Sequence, residues 1–148
     1  MINIAVVGLG YWGPNLLRNF SQLEGCSVKY GCDLNESRLK KYRLEYSETT
    51  FTTKYEEIVN DLEIDLVAIS TPVFSHYELA KKALVAGKNV LIEKPMASSV
   101  LECQDLIKIA KEKDLLIMVD HTFLYTGAVE KIRDLINAGE LGDLYYFD

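Results

Sequence analysis

The sequence predicts an α/β protein built on a doubly wound parallel sheet, and three observations carry that prediction. Short runs of Val, Ile and Leu alternate with segments of helical spacing. The strong runs are nearly continuous in apolar residues, as strands buried on both faces are. Polar, titratable or backbone-constraining residues follow strand after strand, which puts them at one end of the sheet. Right-handed crossovers place helices on both faces, and the expected strand order is 3-2-1-4-5-6.

The first strand, Asn3 to Val7, runs into a turn carrying Gly8, Gly10 and Gly13, with a helix beyond it. The second is Ser27 to Cys32, and a weak third lies near Thr50 to Thr52. Asp65 to Ile69, Asn89 to Ile92 and Leu116 to Val119 complete the set. Thr53 with Glu56, Ser75 with Glu78 and Ser99 with Glu102 have capping-box spacing, in which a hydroxyl and a carboxylate each satisfy a free backbone donor. After Ser99, residues Cys103, Leu106, Ile107 and Ala110 repeat as one buried stripe. Gly87 and Gly139 stand where C-terminal caps belong. A further helix is expected from Tyr125 to about Ala138, then an aromatic strand at Leu144 to Phe147. That strand would have no visible partner, so the chain reads as ending within the incomplete start of a second sheet.

Composition narrows the function classes. The 148 residues suffice for one core, and 49% hydrophobic with 26% charged residues is ordinary for a soluble globular chain. No apolar run approaches the roughly 20 residues of a membrane span. The net charge of -6, with lysines scattered along helices, argues against a nucleic-acid surface. No export signal is visible at Met1, which makes the cytoplasm the expected compartment. Cys26, Cys32 and Cys103 lack metal-ligand spacing and read as reduced thiols packed like small hydrophobes; no metal site is expected.

Chemistry concentrates after the strands. Gly8, Gly10 and Gly13 have the spacing of the dinucleotide fingerprint, which serves a tight turn, a close approach to pyrophosphate and helix-on-strand packing. Alone they are equally a plain turn. Asp33, 20 residues beyond Gly13, ends the second strand where an acidic ribose ligand belongs, though it is also a plausible helix cap. Its charge would repel a 2'-phosphate, so NAD is expected over NADP, with Arg38 positioned to stack on adenine or soften that repulsion. Pro14 has no backbone donor, which leaves Tyr11 and Trp12 as the expected pyrophosphate donors. Ser70, Thr71 and Pro72 follow the fourth strand, Glu93, Lys94 and Pro95 the fifth, Asp120 and His121 the sixth.

The segments "GLGYWG", "STPVFSHYELAKKALVAGKNVLIEKPMA" and "VDHTFLYTGAVEKIRDLINAGELGDLYYFD" resemble the glucose-fructose oxidoreductase and inositol dehydrogenase family, Gfo/Idh/MocA, over the whole chain. The specific part is Thr71-Pro72, His76, Gly87-Lys88 and Glu93-Lys94-Pro95. The resemblance implies an NAD-binding Rossmann domain over residues 1–123, followed over residues 124–148 by the beginning of a C-terminal α+β domain for substrate and oligomerisation. It implies an oxidoreductase that moves hydride between nicotinamide and a sugar or nucleotide-sugar hydroxyl carbon, homo-oligomeric through the second domain. The similar branch acts on the 3-position of nucleotide-linked amino sugars. Lys94 would lie beside the nicotinamide and the reacting carbon, with Pro95 in the cis form aiming it inward. Thr71, Pro72 and His76 would touch cofactor, and His121 would face substrate or nicotinamide. Read singly, Lys94 is a surface lysine before a turn, His76 a partly exposed helix residue and His121 a hydrogen-bonded helix-start residue. Leu124 and Thr126-Gly127 depart from the Arg and Asn-Pro common in the family. The competing function is a non-catalytic dinucleotide-binding or regulatory protein of the same fold.

Overall fold

Ile4 and Val6 of the first strand face one way and Ala5 and Val7 the other, and both sets are fully packed. Only a strand sandwiched between two helical layers buries both faces in this way. The computed structural model describes residues 1–146. Strands β1 (Ile2–Val7), β2 (Cys26–Cys32), β3 (Thr50–Thr52), β4 (Leu66–Ile69), β5 (Asn89–Glu93) and β6 (Ile117–Asp120) form one sheet in the order β3-β2-β1-β4-β5-β6, every neighbouring pair parallel. The order and each strand agree with the sequence expectation to within a residue.

Helices α1 (Gly13–Gln22) and α2 (Glu36–Glu45) close one face, where Leu16, Leu17, Leu39 and Tyr42 pack on Ile4, Val6 and Val28. Helices α3 (Tyr55–Asn60), α4 (His76–Val85) and α5 (Val100–Glu112) supply Ile58, Ala80, Leu84, Leu106 and Ala110 to the other. The α5 stripe is narrower than its spacing predicts, since Ile107 is 52% exposed. It lies about 100° around the helix from Leu106, at the edge of the buried face.

The caps divide. At Ser99 the hydroxyl accepts from Glu102 N–H at 3.2 Å, while the Glu102 carboxylate accepts from Ser98 N–H at 2.9 Å, one residue earlier than a standard box. Ser75 does not cap α4, because a 3₁₀ turn at Val73–Ser75 diverts its hydroxyl to Thr71 Oγ1 and to the Pro72 carbonyl. Thr53 does not cap α3; the neighbouring Thr52 hydroxyl instead accepts from Lys54 N–H. Gly87 (φ +81°) and Gly139 (φ +71°) close α4 and α6 (Gly127–Asn137) as expected, with paired bonds back to the helix carbonyls. Asp114 closes α5 in the same left-handed conformation at φ +55° without being glycine. Lys88, only 3% exposed, donates from Nζ to the Asp61 carbonyl at 2.6 Å and ties β5 to the end of α3.

After β6 the chain makes a 3₁₀ turn at Thr122–Tyr125, so α6 begins at Gly127 rather than Tyr125. No residue of α6 is buried. The expected terminal strand does not form over Leu144, Tyr145 and Tyr146, and Phe147 lies outside the described residues. A strand needs a partner for its ladder, and none of the described residues supplies one there.

A non-glycine residue in the left-handed region costs energy that glycine avoids. Replacing Asp114 by Gly is expected to raise stability by about 0.5–1 kcal/mol, seen as a higher urea midpoint with an unchanged slope.

Candidate functional site

The carboxyl ends of β1, β2, β4 and β5 open onto one crevice with a cavity of about 730 Å³, within the ordinary range for a small-molecule site. Its walls include Gly8, Gly10, Tyr11 and Trp12 from the first turn, Asp33 and Arg38 after β2, Ser70, Thr71 and Pro72 after β4, and Glu93 and Lys94 after β5. Gly13, His76, Pro95 and His121 do not line it.

The glycines of the first turn do different work. Gly8 has φ +90°, and a Cβ there would stand 2.8 Å from the Ser70 backbone. A Cβ on Gly13 would come within 1.8 Å of the Gly8 carbonyl oxygen, so α1 packs on the turn only because that side chain is missing. Gly10 is not crowded: the nearest atom to a Cβ there is Arg38 Nη1 at 3.8 Å. Its lack of a side chain keeps open a space that the protein itself does not fill. Pro14 sits in the first turn of α1. The N–H groups of Tyr11 and Trp12 have no acceptor among the described residues, so donors stand at the N-terminus of α1, where a helix favours negative charge.

Asp33 is held from three sides. Its Oδ2 accepts from Leu9 N–H at 2.8 Å and from Arg38 Nη1 at 3.3 Å, and its Oδ1 accepts from Asn35 N–H at 2.8 Å. Asn35 in turn caps α2 through Ser37 N–H. The acidic group is therefore both turn anchor and cavity wall, and a carboxylate retains lone pairs for hydroxyl donors. Cys32 beside it is a buried thiol, pushed up to about 12 by burial and then by the Asp33 charge.

At the far side, Ser70 donates to the Gly8 carbonyl at 2.8 Å and locks the β4 end to the first turn. Glu93 and Asp120 are register partners on β5 and β6, and Trp12 Nε1–H donates to Asp120 Oδ2 at 3.4 Å. Partial burial, then the Asp120 charge and its hydrogen bonding, push the Glu93 carboxyl above its ordinary value of 4.5. Lys94 is exposed into the crevice mouth, and the Lys94–Pro95 peptide is cis. His76 is buried rather than partly exposed, at 1%. Its Nδ1 lies 2.9 Å from the Pro95 carbonyl and its Nε2 2.7 Å from the Thr71 carbonyl. His121 is an exposed residue opening the 3₁₀ turn after β6. Among the described residues no cluster of His, Cys, Asp and Glu suits a metal ion.

Sequence reasoning missed Phe74, Asn35 and Tyr55 as cavity walls. Phe74 stands exposed on the 3₁₀ turn two residues past Pro72, where an aromatic in a loop after a strand end was the available signal. Asn35 was legible as Asp-x-Asn turn chemistry. Tyr55 carried no signal, because it reaches the crevice through its packed position, its hydroxyl donating to the Leu79 carbonyl at 2.8 Å.

A parallel sheet with an open glycine turn, free helix-terminal donors and an acidic residue closing β2 defines a Rossmann-type nucleotide-binding protein. The chain belongs to the oxidoreductase family with an NAD-binding Rossmann fold, whose profile matches residues 2–121. It is 31% identical over 146 residues to an uncharacterized oxidoreductase of Streptococcus pneumoniae serotype 4, covering 99% of this chain and 39% of that protein. It is 29% identical to a 2,7-anhydro-N-acetylneuraminate hydratase of Mediterraneibacter gnavus, covering 98% of this chain and 38% of the relative. The crystal structure of myo-inositol 2-dehydrogenase from Lactobacillus plantarum superposes with a TM-score of 0.90 over 98% of this chain and 43% of that one; at 24% identity the likeness is of fold. The chain thus spans about two fifths of the length of these relatives. The open Gly10 space and the free Tyr11 and Trp12 donors fit the dinucleotide that the family description names.

Two outcomes follow from this geometry. Gly13→Ala is expected to destabilise the fold by more than about 2 kcal/mol, whereas Gly10→Ala leaves the melting temperature nearly unchanged. Glu93 holds its proton more tightly when folded, so its contribution to stability is lost as pH rises from 4.5 through the raised folded value. Glu93→Gln is therefore expected to gain stability over wild type at pH 7 and little at pH 4, measured by urea unfolding at both.

Proposed function

We propose that this chain is the cofactor-binding part of an NAD(H)-dependent oxidoreductase that moves hydride between nicotinamide and a hydroxyl-bearing carbon of a sugar or nucleotide sugar. The observation that carries the reading is the joining of Gly10, Asp33 and Lys94 around one cavity. Residues 1–123 are the cofactor domain, and residues 124–148 begin a substrate and oligomerisation domain. The unburied α6 and the short span against the relatives support that division.

In this reading Tyr11 and Trp12 N–H hold the pyrophosphate, and Asp33 accepts from the adenosine ribose hydroxyls. Ser70, Thr71 and Pro72 line the path towards the nicotinamide. The bound cofactor supplies the hydride acceptor or donor at its ring. Lys94 donates a hydrogen bond to the substrate oxygen and stabilises the negative charge it carries as the hydroxyl proton passes to a separate base; that charge is discharged into the new carbonyl as the hydride leaves the carbon. Glu93 lines the same end of the crevice beside Lys94, while Pro95 and His121 lie outside its walls. The hydratase relative is named for an N-acetylated sugar acid, which agrees with a hydroxyl-rich substrate class.

An uncompensated Asp33 would exclude a 2'-phosphate; here Arg38 partly offsets it, and NAD remains the favoured cofactor. Calorimetric titration is expected to show NAD binding tighter than NADP, with Gly10→Ala weakening NAD at least tenfold; tighter NADP binding would contradict the assignment of Asp33. In the complete polypeptide, Lys94→Ala is expected to lower turnover by about 10²-fold or more while cofactor affinity changes little. Unchanged turnover would exclude Lys94 from the chemistry.

A further inference from the structure

His76 is the most deeply buried polar side chain of the molecule's described residues, and it touches neither the cavity nor solvent. What it does touch is informative. One ring nitrogen faces the carbonyl of Thr71 at 2.7 Å, in the loop after β4, and the other faces the carbonyl of Pro95 at 2.9 Å, in the loop after β5. Thr71 lines the cavity directly, and the residue before Pro95 is Lys94, which also lines it. The two loops therefore meet through one imidazole set at the first position of α4, a helix anchored below by Ala80, Ala83 and Leu84 in the core.

We propose that His76 is a positioning residue that clips the loop after β4 to the loop after β5 and so sets where Lys94 stands in the crevice. The inference rests on the assignment of Lys94 to the chemistry. Both partners are carbonyl acceptors within hydrogen-bond distance of the ring, so the imidazole bridges the two loops whichever nitrogen carries the proton, and a carbonyl that loses this neighbour loses its partner in the fold. Ser75 reinforces the β4 side independently, donating to the Pro72 carbonyl at 2.8 Å with its oxygen also 2.8 Å from Thr71 Oγ1. The β5 side has no such second tie at Pro95 among the described contacts. Loss of the Nδ1 contact is thus expected to release Lys94 more than loss of the Nε2 contact releases Thr71.

Asparagine and glutamine separate the two contacts, because the Asn amide nitrogen falls near the position of Nδ1 and the Gln amide nitrogen near that of Nε2. In the complete polypeptide, His76→Gln is expected to lower kcat by about 10²-fold, the penalty of a misplaced catalytic group, while KM for NAD moves little. His76→Asn is expected to keep most of kcat. In a Lys94→Ala background, His76→Gln is expected to cost nothing further, since the two residues act as one unit. Equal losses in the Asn and Gln variants, or additive losses on top of Lys94→Ala, would overturn the clip. Should Lys94→Ala leave turnover intact, the oxidoreductase assignment of Lys94 fails on its own. Amide hydrogen exchange at Lys94 and Met96 then decides the clip: faster exchange in His76→Gln than in His76→Asn supports it, and equal exchange overturns it.

Discussion

The approach of α1 to the turn that ends β1 governs the whole carboxyl edge of the sheet. A single methyl group on Gly13 would stand 1.8 Å from the Gly8 carbonyl oxygen, a separation that no side chain tolerates. With that position empty, the same carbonyl accepts the Ser70 hydroxyl, which pulls the end of β4 against the turn. Leu9 N–H, the next donor along, goes to Asp33 and fixes the end of β2. One backbone contact thus determines where three strand ends stand, and the crevice is the space left between them.

The two ends of that crevice are electrostatically alike and chemically different. At one end Asp33 carries a buried charge that Arg38 and two backbone donors compensate, an arrangement suited to holding neutral hydroxyl groups in a fixed geometry. At the other, Glu93 and Asp120 face each other from adjacent strands, and their mutual repulsion with partial burial favours keeping a proton on Glu93. Lys94 follows directly and is the cation of that end that lines the cavity. The first end offers fixed donors and acceptors, and the second an exposed cation beside a pair of carboxylates.

Much of this is legible in the sequence, for reasons that differ by residue. Apolar runs buried on both faces of a sheet have no alternative reading once helical segments separate them, so strand order followed from chain order and handedness. Gly8, Gly13 and Asp33 were legible because each is demanded by a local steric or electrostatic condition. Arg38 was legible only as a neighbour, and its bond to Asp33 needed the structure. His76 reads in the sequence as a cofactor contact or, taken singly, as a partly exposed helix residue; its burial was not legible, because helical spacing does not reveal that two loops meet at the first turn of α4. Capping spacing failed at Ser75 and Thr53 for a related reason: the path of the chain turns the Ser75 hydroxyl back to Thr71 and the Pro72 carbonyl, and starts α3 with Lys54 rather than Thr53 at its N-cap. The terminal aromatic segment failed as a strand because a strand is a property of two segments and not of one.

The central claim is that the first turn, the end of β2 and the end of β4 form a single dinucleotide cradle. Titrating the protein with NAD while following backbone amide resonances tests it most directly. The account predicts the largest shifts together at Tyr11, Trp12, Asn35 and Thr71, saturating with one dissociation constant. Shifts confined elsewhere, or none at millimolar NAD, would contradict it.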